Sequence, residues 1–143
     1  DGNTPLILLC QKFNPDSFTQ LLKHKTLIEV LIQNGANINK ADKNKNTPLN
    51  LVCKNFNPEK FSEYKSLVEL LIKNGANINK ADKEGNTPLL SLCKNFDPER
   101  HNQYKILYRE LFQTLIQAGA DVNKANKKGD TPGKLLDQIN TEL

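Results

Sequence analysis

Two short motifs alternate along this chain at one fixed spacing, and that alternation limits the fold more tightly than any bulk property. Asn3-Thr4-Pro5-Leu6 returns as Asn46-Thr47-Pro48-Leu49 and Asn86-Thr87-Pro88-Leu89, then in weaker form as Asp130-Thr131-Pro132-Gly133. Between them lies Asn34-Gly35-Ala36-Asn37-Ile38-Asn39-Lys40, repeated from Asn74 to Lys80 and varied from Ala118 to Lys124. The separation from the Gly of this second motif to the next Thr never changes (35 to 47, 75 to 87, 119 to 131). The separation from Thr to the next Gly does change (4 to 35, 47 to 75, 87 to 119). One half of each unit is rigid in length and the other accepts insertions, the pattern of a stack of like units.

Each piece has a physical reading. Thr-Pro followed by apolar residues starts a short helix: the Thr oxygen caps orphan amides and Pro presets the first helical position. The runs Leu27 to Ile32, Leu67 to Ile72 and Leu111 to Ile116 are apolar at helical spacing and predict a second helix. Gly35, Gly75 and Gly119 stand where a left-handed residue ends it. The polar stretch that follows, with Asp42, Asp82 or Asn126, reverses the chain. Such a unit cannot bury its own apolar face, so neighbours must stack.

These residues resemble the ankyrin repeat, whose pattern runs Asp-x-x-Gly-x-Thr-Pro-Leu-His and later Gly-Ala-Asp-Val-Asn. The resemblance implies an all-α solenoid of stacked helix-turn-helix units joined by β-hairpin-like turns. It covers nearly the whole chain as one domain, residues 1–143, with repeats at about 1–41, 42–81 and 82–125 and a C-terminal cap at 126–143. It also implies a protein–protein interaction module rather than an enzyme.

Several features depart from the family. Its period is about 33 residues, and the excess here follows each first helix, at Phe13-Asn14-Pro15, Phe56-Asn57-Pro58 and Phe96-Asp97-Pro98. Asn or Asp before Pro reads as a helix cap, and Asp16, Glu59 or Glu99 then suits the helix dipole. The inserts are therefore expected to lengthen each second helix, with Phe13–Phe18 and Phe56–Phe61 as hydrophobic staples, rather than to form loops. The family's His is replaced by Ile7, Asn50, Leu90 and Lys134, so its bonds between repeats are absent or substituted. Lys45 stands where the turn expects Gly, at some cost if that position needs a positive φ. Gly133, Asp137, Gln138, Asn140, Thr141 and Glu142 give the last half unit the look of a polar cap. The chain opens mid-unit at Asp1 and has no Met, and is expected to be excised from something longer, with a repeat or cap preceding it.

Little chemistry survives inspection. Cys10, Cys53 and Cys93 are odd in number and fall one to a unit, neither a disulfide framework nor a zinc pattern. Packed helices lie about 8–10 Å apart, beyond the roughly 7 Å Cα limit for a disulfide, so the thiols read as small core residues in reducing, cytoplasm-like surroundings. His24 and His101 have no ligand or triad partner at a useful spacing. Every Gly is solitary, so no phosphate loop exists. No catalytic residue, cofactor or metal is expected. Leu115 with Asp121-Val122-Asn123 resembles a pattern modified by asparaginyl hydroxylases, but Asn39, Asn79 and Asn123 more simply bond the turn backbone. No apolar stretch approaches the length of a membrane span.

A partner surface is carried over from the resemblance: a concave face of turn tips and exposed first-helix sides. Its candidates are Lys12 in the first unit, Lys43, Asn44, Asn46, Lys54 and Asn55 in the second, Lys83, Glu84, Asn86, Lys94 and Asn95 in the third, and Lys127 and Lys128 in the last. Lysines read as columns: Lys12, Lys54 and Lys94; Lys43, Lys83 and Lys127; Lys40, Lys80 and Lys124. Most of the acids outside the turns (Glu29, Glu59, Glu63, Glu69, Glu99, Glu110) fall on second helices. At net charge +4, the segregation suggests a monomer with a basic face for an acidic protein segment; ordinary solvated lysines explain the composition equally well. Nucleic acid is disfavoured: no aromatic interleaves the lysines, and Arg100 and Arg109 are the only arginines. Other readings are a binding edge at Phe61, Tyr64, Tyr104 and Tyr108, or the targeting module of a larger enzyme or of a secreted effector acting in a host cytoplasm.

Overall fold

The computed structural model describes residues 2–141, Thr141 by its backbone alone, so Asp1, Glu142 and Leu143 lie outside the described residues. α1 (Pro5–Gln11) and α2 (Phe18–Gln33) form the first unit, and α3 (Pro48–Lys54) and α4 (Phe61–Lys73) the second. The third holds α5 (Pro88–Asn95), α6 (Pro98–His101) and α7 (Lys105–Gln117), and α8 (Pro132–Thr141) closes the stack. No strand occurs among the described residues.

The motifs act as their chemistry requires. Thr4, Thr47 and Thr87 are extended N-caps whose hydroxyl oxygens accept the amides of Ile7, Asn50 and Leu90, and Pro follows each at the first helical position. At the other end Gly35, Gly75 and Gly119 take φ of 89°, 93° and 105°. The amides of Ala36, Ala76 and Ala120 then reach back to the carbonyls of Leu31, Leu71 and Leu115 at 2.9 to 3.0 Å, closing each second helix with a left-handed cap.

Stacking supplies the core. The first helices α1, α3, α5 and α8 pack in a row. Every residue of α3 from Pro48 to Cys53 is buried, because α1 covers one side and α5 the other. Leu67, Leu71, Leu111 and Leu115 of the second helices are wholly buried, each contributing roughly 1.5–3 kcal/mol of transfer free energy.

The inserts depart from the expected plain helix extensions. In the second unit Asn57 caps a single 3-10 turn, Pro58–Lys60, which a break at Lys60 (φ −117°, ψ 40°) separates from α4. In the third, Asp97 caps α6, and a 3-10 turn at Asn102–Tyr104 intervenes before α7. In the first, Asn14 caps nothing; Ser17 caps α2, which is the longest helix at 16 residues. The Phe56–Phe61 staple is present, with ring centroids 6.5 Å apart. The Phe13–Phe18 staple is not, since Phe18 is 72% exposed.

Phe13, Phe56 and Phe96 instead build an aromatic ladder across the units. Phe13 meets Tyr64 of the next unit edge-on at 5.1 Å, and Tyr64 meets Phe56 at 5.5 Å. Phe56 then meets Tyr108 of the following unit at 5.0 Å, and Tyr108 meets Phe96 at 5.0 Å. The Tyr64 hydroxyl donates to the Phe13 carbonyl at 2.9 Å, which ties the inserts of successive units together.

Candidate binding surface

The turn tips are fixed by their own backbone. Asp42 Oδ1 accepts the amides of Asn44 and Asn46 at 2.9 Å each. Asp82 Oδ1 does the same for Glu84 and Asn86, and Asn126 Oδ1 for Lys128 and Asp130. Tips are also joined in series: the Lys83 amide donates to the Asn44 carbonyl at 2.9 Å, and the Lys127 amide to the Glu84 carbonyl at 3.0 Å. Close approach fixes one residue type, since a Cβ on Gly85 would lie 3.0 Å from Asn126 Cα. Lys45, at the same register, takes φ 61°, the left-handed conformation that favours Gly.

On this scaffold Lys43, Asn44, Lys54, Asn55, Lys83, Glu84, Lys94, Lys127 and Lys128 are exposed, and Asn95 is half-buried. Asn46 and Asn86 are not available to a partner: they are 6% and 4% exposed. Asn46 Oδ1 accepts from Lys54 Nζ at 3.1 Å, and Asn86 Oδ1 from Asn126 Nδ2 at 2.8 Å. Asn86 thus joins two turns directly, while Asn46 reaches the next turn only through Lys54, which also binds Asp82.

Lys12 is exposed but stands outside the column expected for it. Counted from the shared Thr-Pro motif, Gln11 holds the register of Lys54 and Lys94, and Lys12 that of Asn55 and Asn95. Asn55 and Asn95 donate to the preceding unit, at the carbonyls of Gln11 (3.5 Å) and Lys54 (2.9 Å). Lys12 lines the opposite, N-terminal side of the stack.

The lysine columns also differ in task. Lys80 Nζ donates to the Asn39 carbonyl at 3.1 Å, and Lys124 Nζ to the Asn79 carbonyl at 2.8 Å, so this column spans neighbouring units. Lys54 Nζ lies 3.0 Å from the Asp82 carboxylate, whose side chain is 2% exposed, and neutralises it. Lys94 sits 3.9 Å from Asp130. Lys43, Lys83, Lys127 and Lys128 make no ion pair among the described residues. Lys83, Lys94, Lys127 and Lys128 line a depression of about 440 Å³ with Asn44, Asn126 and one acid, Glu84. A smaller one of about 210 Å³ adjoins it, sharing Asn44, Lys83 and Glu84.

Sequence reasoning missed the two-sided grip of Asn39 and Asn79. Asn39 accepts the Asn77 amide (2.7 Å) and donates to the Gly75 carbonyl (3.1 Å). Asn79 does likewise with Asp121 (2.8 Å) and Gly119 (3.0 Å), so both side chains clamp the next unit's turn. Recurrence at a constant offset from Gly was the available signal. The aromatics divide: Tyr64 and Tyr108 are buried, while Phe61 and Tyr104 are half-buried. His101 Nδ1 accepts the Asp97 amide at 3.1 Å and so fixes the third insert. All three thiols are free and buried, and burial pushes Cys10 and Cys93 up to about 12, far from a reactive thiolate.

No curated protein matches the chain at significant similarity. The family model described as ankyrin repeats, in three copies, matches residues 19–126. That span takes in the second helix of the first unit, both complete units after it and the start of the last turn, the segments whose caps, turns and stacking are described above. The chain belongs to the ankyrin-repeat family, whose repeats are in general non-catalytic protein–protein interaction modules.

Proposed function

We propose that the chain binds a protein partner on its concave, turn-tip side and takes up an acidic segment there, as a monomer. The observation that carries this reading is the depression lined by Lys83, Lys94, Lys127 and Lys128, where Glu84 is the only acid. The backbone beneath these lysines is already fixed by the turn bonds, so binding orders few groups beyond the lysine side chains themselves. Outside the turns, Glu110 stands on the second helices, where it meets Lys65 at 2.6 Å. The lysines reach into water, so the attraction acts mainly on encounter and register and weakens as salt rises.

Capture from a lysate tests the reading, using the native chain beside a variant carrying Lys43→Glu, Lys83→Glu and Lys127→Glu, at low and high salt. A protein held by the native chain alone, and released as salt rises, is the expected result. Equal capture by both moves the site to the insert side, and capture abolished by nuclease replaces the protein partner with nucleic acid.

A further inference from the structure

Three bonds close the seam between the first and second inserts. Lys60 Nζ reaches back to Asn14 Oδ1 at 2.7 Å and to Asp16 Oδ1 at 2.8 Å, and the Tyr64 hydroxyl donates to the Phe13 carbonyl. Counted from the Phe of each insert, Arg100 matches Lys60 at the next seam, and Asn57 and Glu59 match Asn14 and Asp16. Counted back from the capping Gly, Tyr108 matches Tyr64. None of the three bonds recurs among the described residues. Arg100 and Glu59 make no ion pair, and the Tyr108 hydroxyl turns to Asn95 of its own unit. The third insert is the longer one, with 12 residues from Phe96 to Tyr108 against 8 from Phe56 to Tyr64. Its extra length brings His101 Nδ1 to 3.2 Å from the Tyr108 hydroxyl.

A groove of about 520 Å³ stands where those bonds would run, with Asn57 and Glu59 on one wall and Arg100, His101 and Tyr104 on the other. The first wall repeats the pair of acceptors that holds an ammonium at the seam before. The second wall offers donors. The Asp97 amide can only donate, so its bond to His101 Nδ1 leaves the ring proton on Nε2. That Nε2–H, the Arg100 guanidinium and the Tyr104 hydroxyl have no bonding partner among the described residues.

We propose that this groove is a second contact site, which binds a protein segment of mixed charge. A lysine of the segment sits on Asn57 and Glu59, as Lys60 sits on Asn14 and Asp16, and a carboxylate of the segment sits on Arg100 and His101. Charge complementarity selects this occupant: a wholly acidic segment would meet Glu59, and a wholly basic one would meet Arg100. The site lies on the inserts, apart from the lysines of the turn tips, and does not depend on an acidic segment binding there.

Amide shifts in NMR spectra of the full chain test this with three end-capped peptides, Lys-Gly-Gly-Glu, Glu-Gly-Gly-Glu and Lys-Gly-Gly-Lys. The mixed peptide should move the amides of Asn57, Glu59, Arg100 and His101 together. At those amides it should bind more tightly than either other peptide by roughly threefold or more, the weight of one exposed ion pair. Glu59→Gln and Arg100→Ala should each remove that advantage. Groove amides that respond equally to all three peptides, or to none, overturn the proposal. So does a urea series on the free chain in which the Glu59→Gln, Arg100→Ala double variant loses clearly less stability than the two single losses added together. Arg100 then already rests on Glu59 in solution, and the groove is closed. Shifts confined to the turn tips with the acidic peptide would support the concave site and still overturn this one.

Discussion

Asn50 shows how one side chain settles what a pattern leaves open. The sequence shows the family's His missing and its bonds either absent or substituted, and both outcomes occur. Ile7 and Leu90 are buried apolar side chains, while Asn50, 0% exposed, accepts the Thr47 amide and hydroxyl at 2.9 and 2.7 Å and donates to the Lys80 carbonyl at 3.0 Å. Asn50→Leu keeps the branching of the side chain but strands buried groups, so a loss of about 2–3 kcal/mol is expected in urea unfolding. Asn50→His, which restores donor and acceptor, should lose less. Lys45 carries the opposite sign: at φ 61° its side chain strains the turn, and Lys45→Gly should raise stability by about 0.5–1 kcal/mol in the same measurement. The exposed site residues were legible because Lys43, Lys83 and Lys127 stand at a constant offset before Thr, in turns of fixed length. Asn46 and Asn86 sit in those turns as well, but they are bound by Lys54 and by Asn126 of the following turn, partners distant in sequence. Lys12 stands outside its column for a simpler reason: it lies two residues after Cys10, whereas Lys54 and Lys94 lie one residue after Cys53 and Cys93.

Between elements, sequence reasoning found the inserts and misread their partners. A staple links a Phe to a residue five positions on, so the sequence pairs Phe13 with Phe18. The structure pairs Phe13 with Tyr64 instead, because an aromatic ring gains more from burial between two units than from an exposed helix start. No local spacing signals a contact that stacking alone creates. The short capped turns of the second and third inserts follow from the same geometry, since they leave Phe56 and Phe96 free to enter the ladder ahead of the second helices. Tyr64 is the rung with both a ring and a bond across units. Tyr64→Phe should keep the edge-on contacts and cost about 1 kcal/mol for the lost bond to Phe13. Tyr64→Ala should cost about 3–5 kcal/mol and open the first insert. Thermal unfolding of the two variants separates these contributions. Near-equal losses would mean that the hydroxyl, not the ring, holds the inserts together.

The whole stack was the most legible level, because a fixed spacing from Gly to Thr admits few architectures, and its consequence is a core threaded by one repeated thiol. Cys10, Cys53 and Cys93 are 1%, 0% and 3% exposed. Burial pushes Cys10 and Cys93 up to about 12, and it pushes Cys53 up as well, with the neighbouring Cys93 adding a smaller push in the same direction. In the unfolded chain these thiols ionise near 9.0. Above that pH the unfolded state sheds protons that the folded state keeps, so stability is full below pH 9 and falls as pH rises toward 12. Each thiol contributes a slope of roughly 1.4 kcal/mol per pH unit, so three together approach about 4 kcal/mol per unit, a large share of the roughly 5–15 kcal/mol that holds a domain of this size. Tyr64 and Tyr108, also raised by burial, steepen the fall above pH 10. Urea midpoints from pH 7 to pH 11 should therefore be level to pH 9 and then drop sharply. Replacing all three cysteines by Ala, the small residue that the family pattern places there, should flatten the drop to the part due to the phenols. A variant that loses stability as steeply as the native chain would mean that groups other than the thiols govern the alkaline limit. Reagent titration supplies an independent check: at pH 8 the native thiols should be protected, and all three should react once urea has opened the stack.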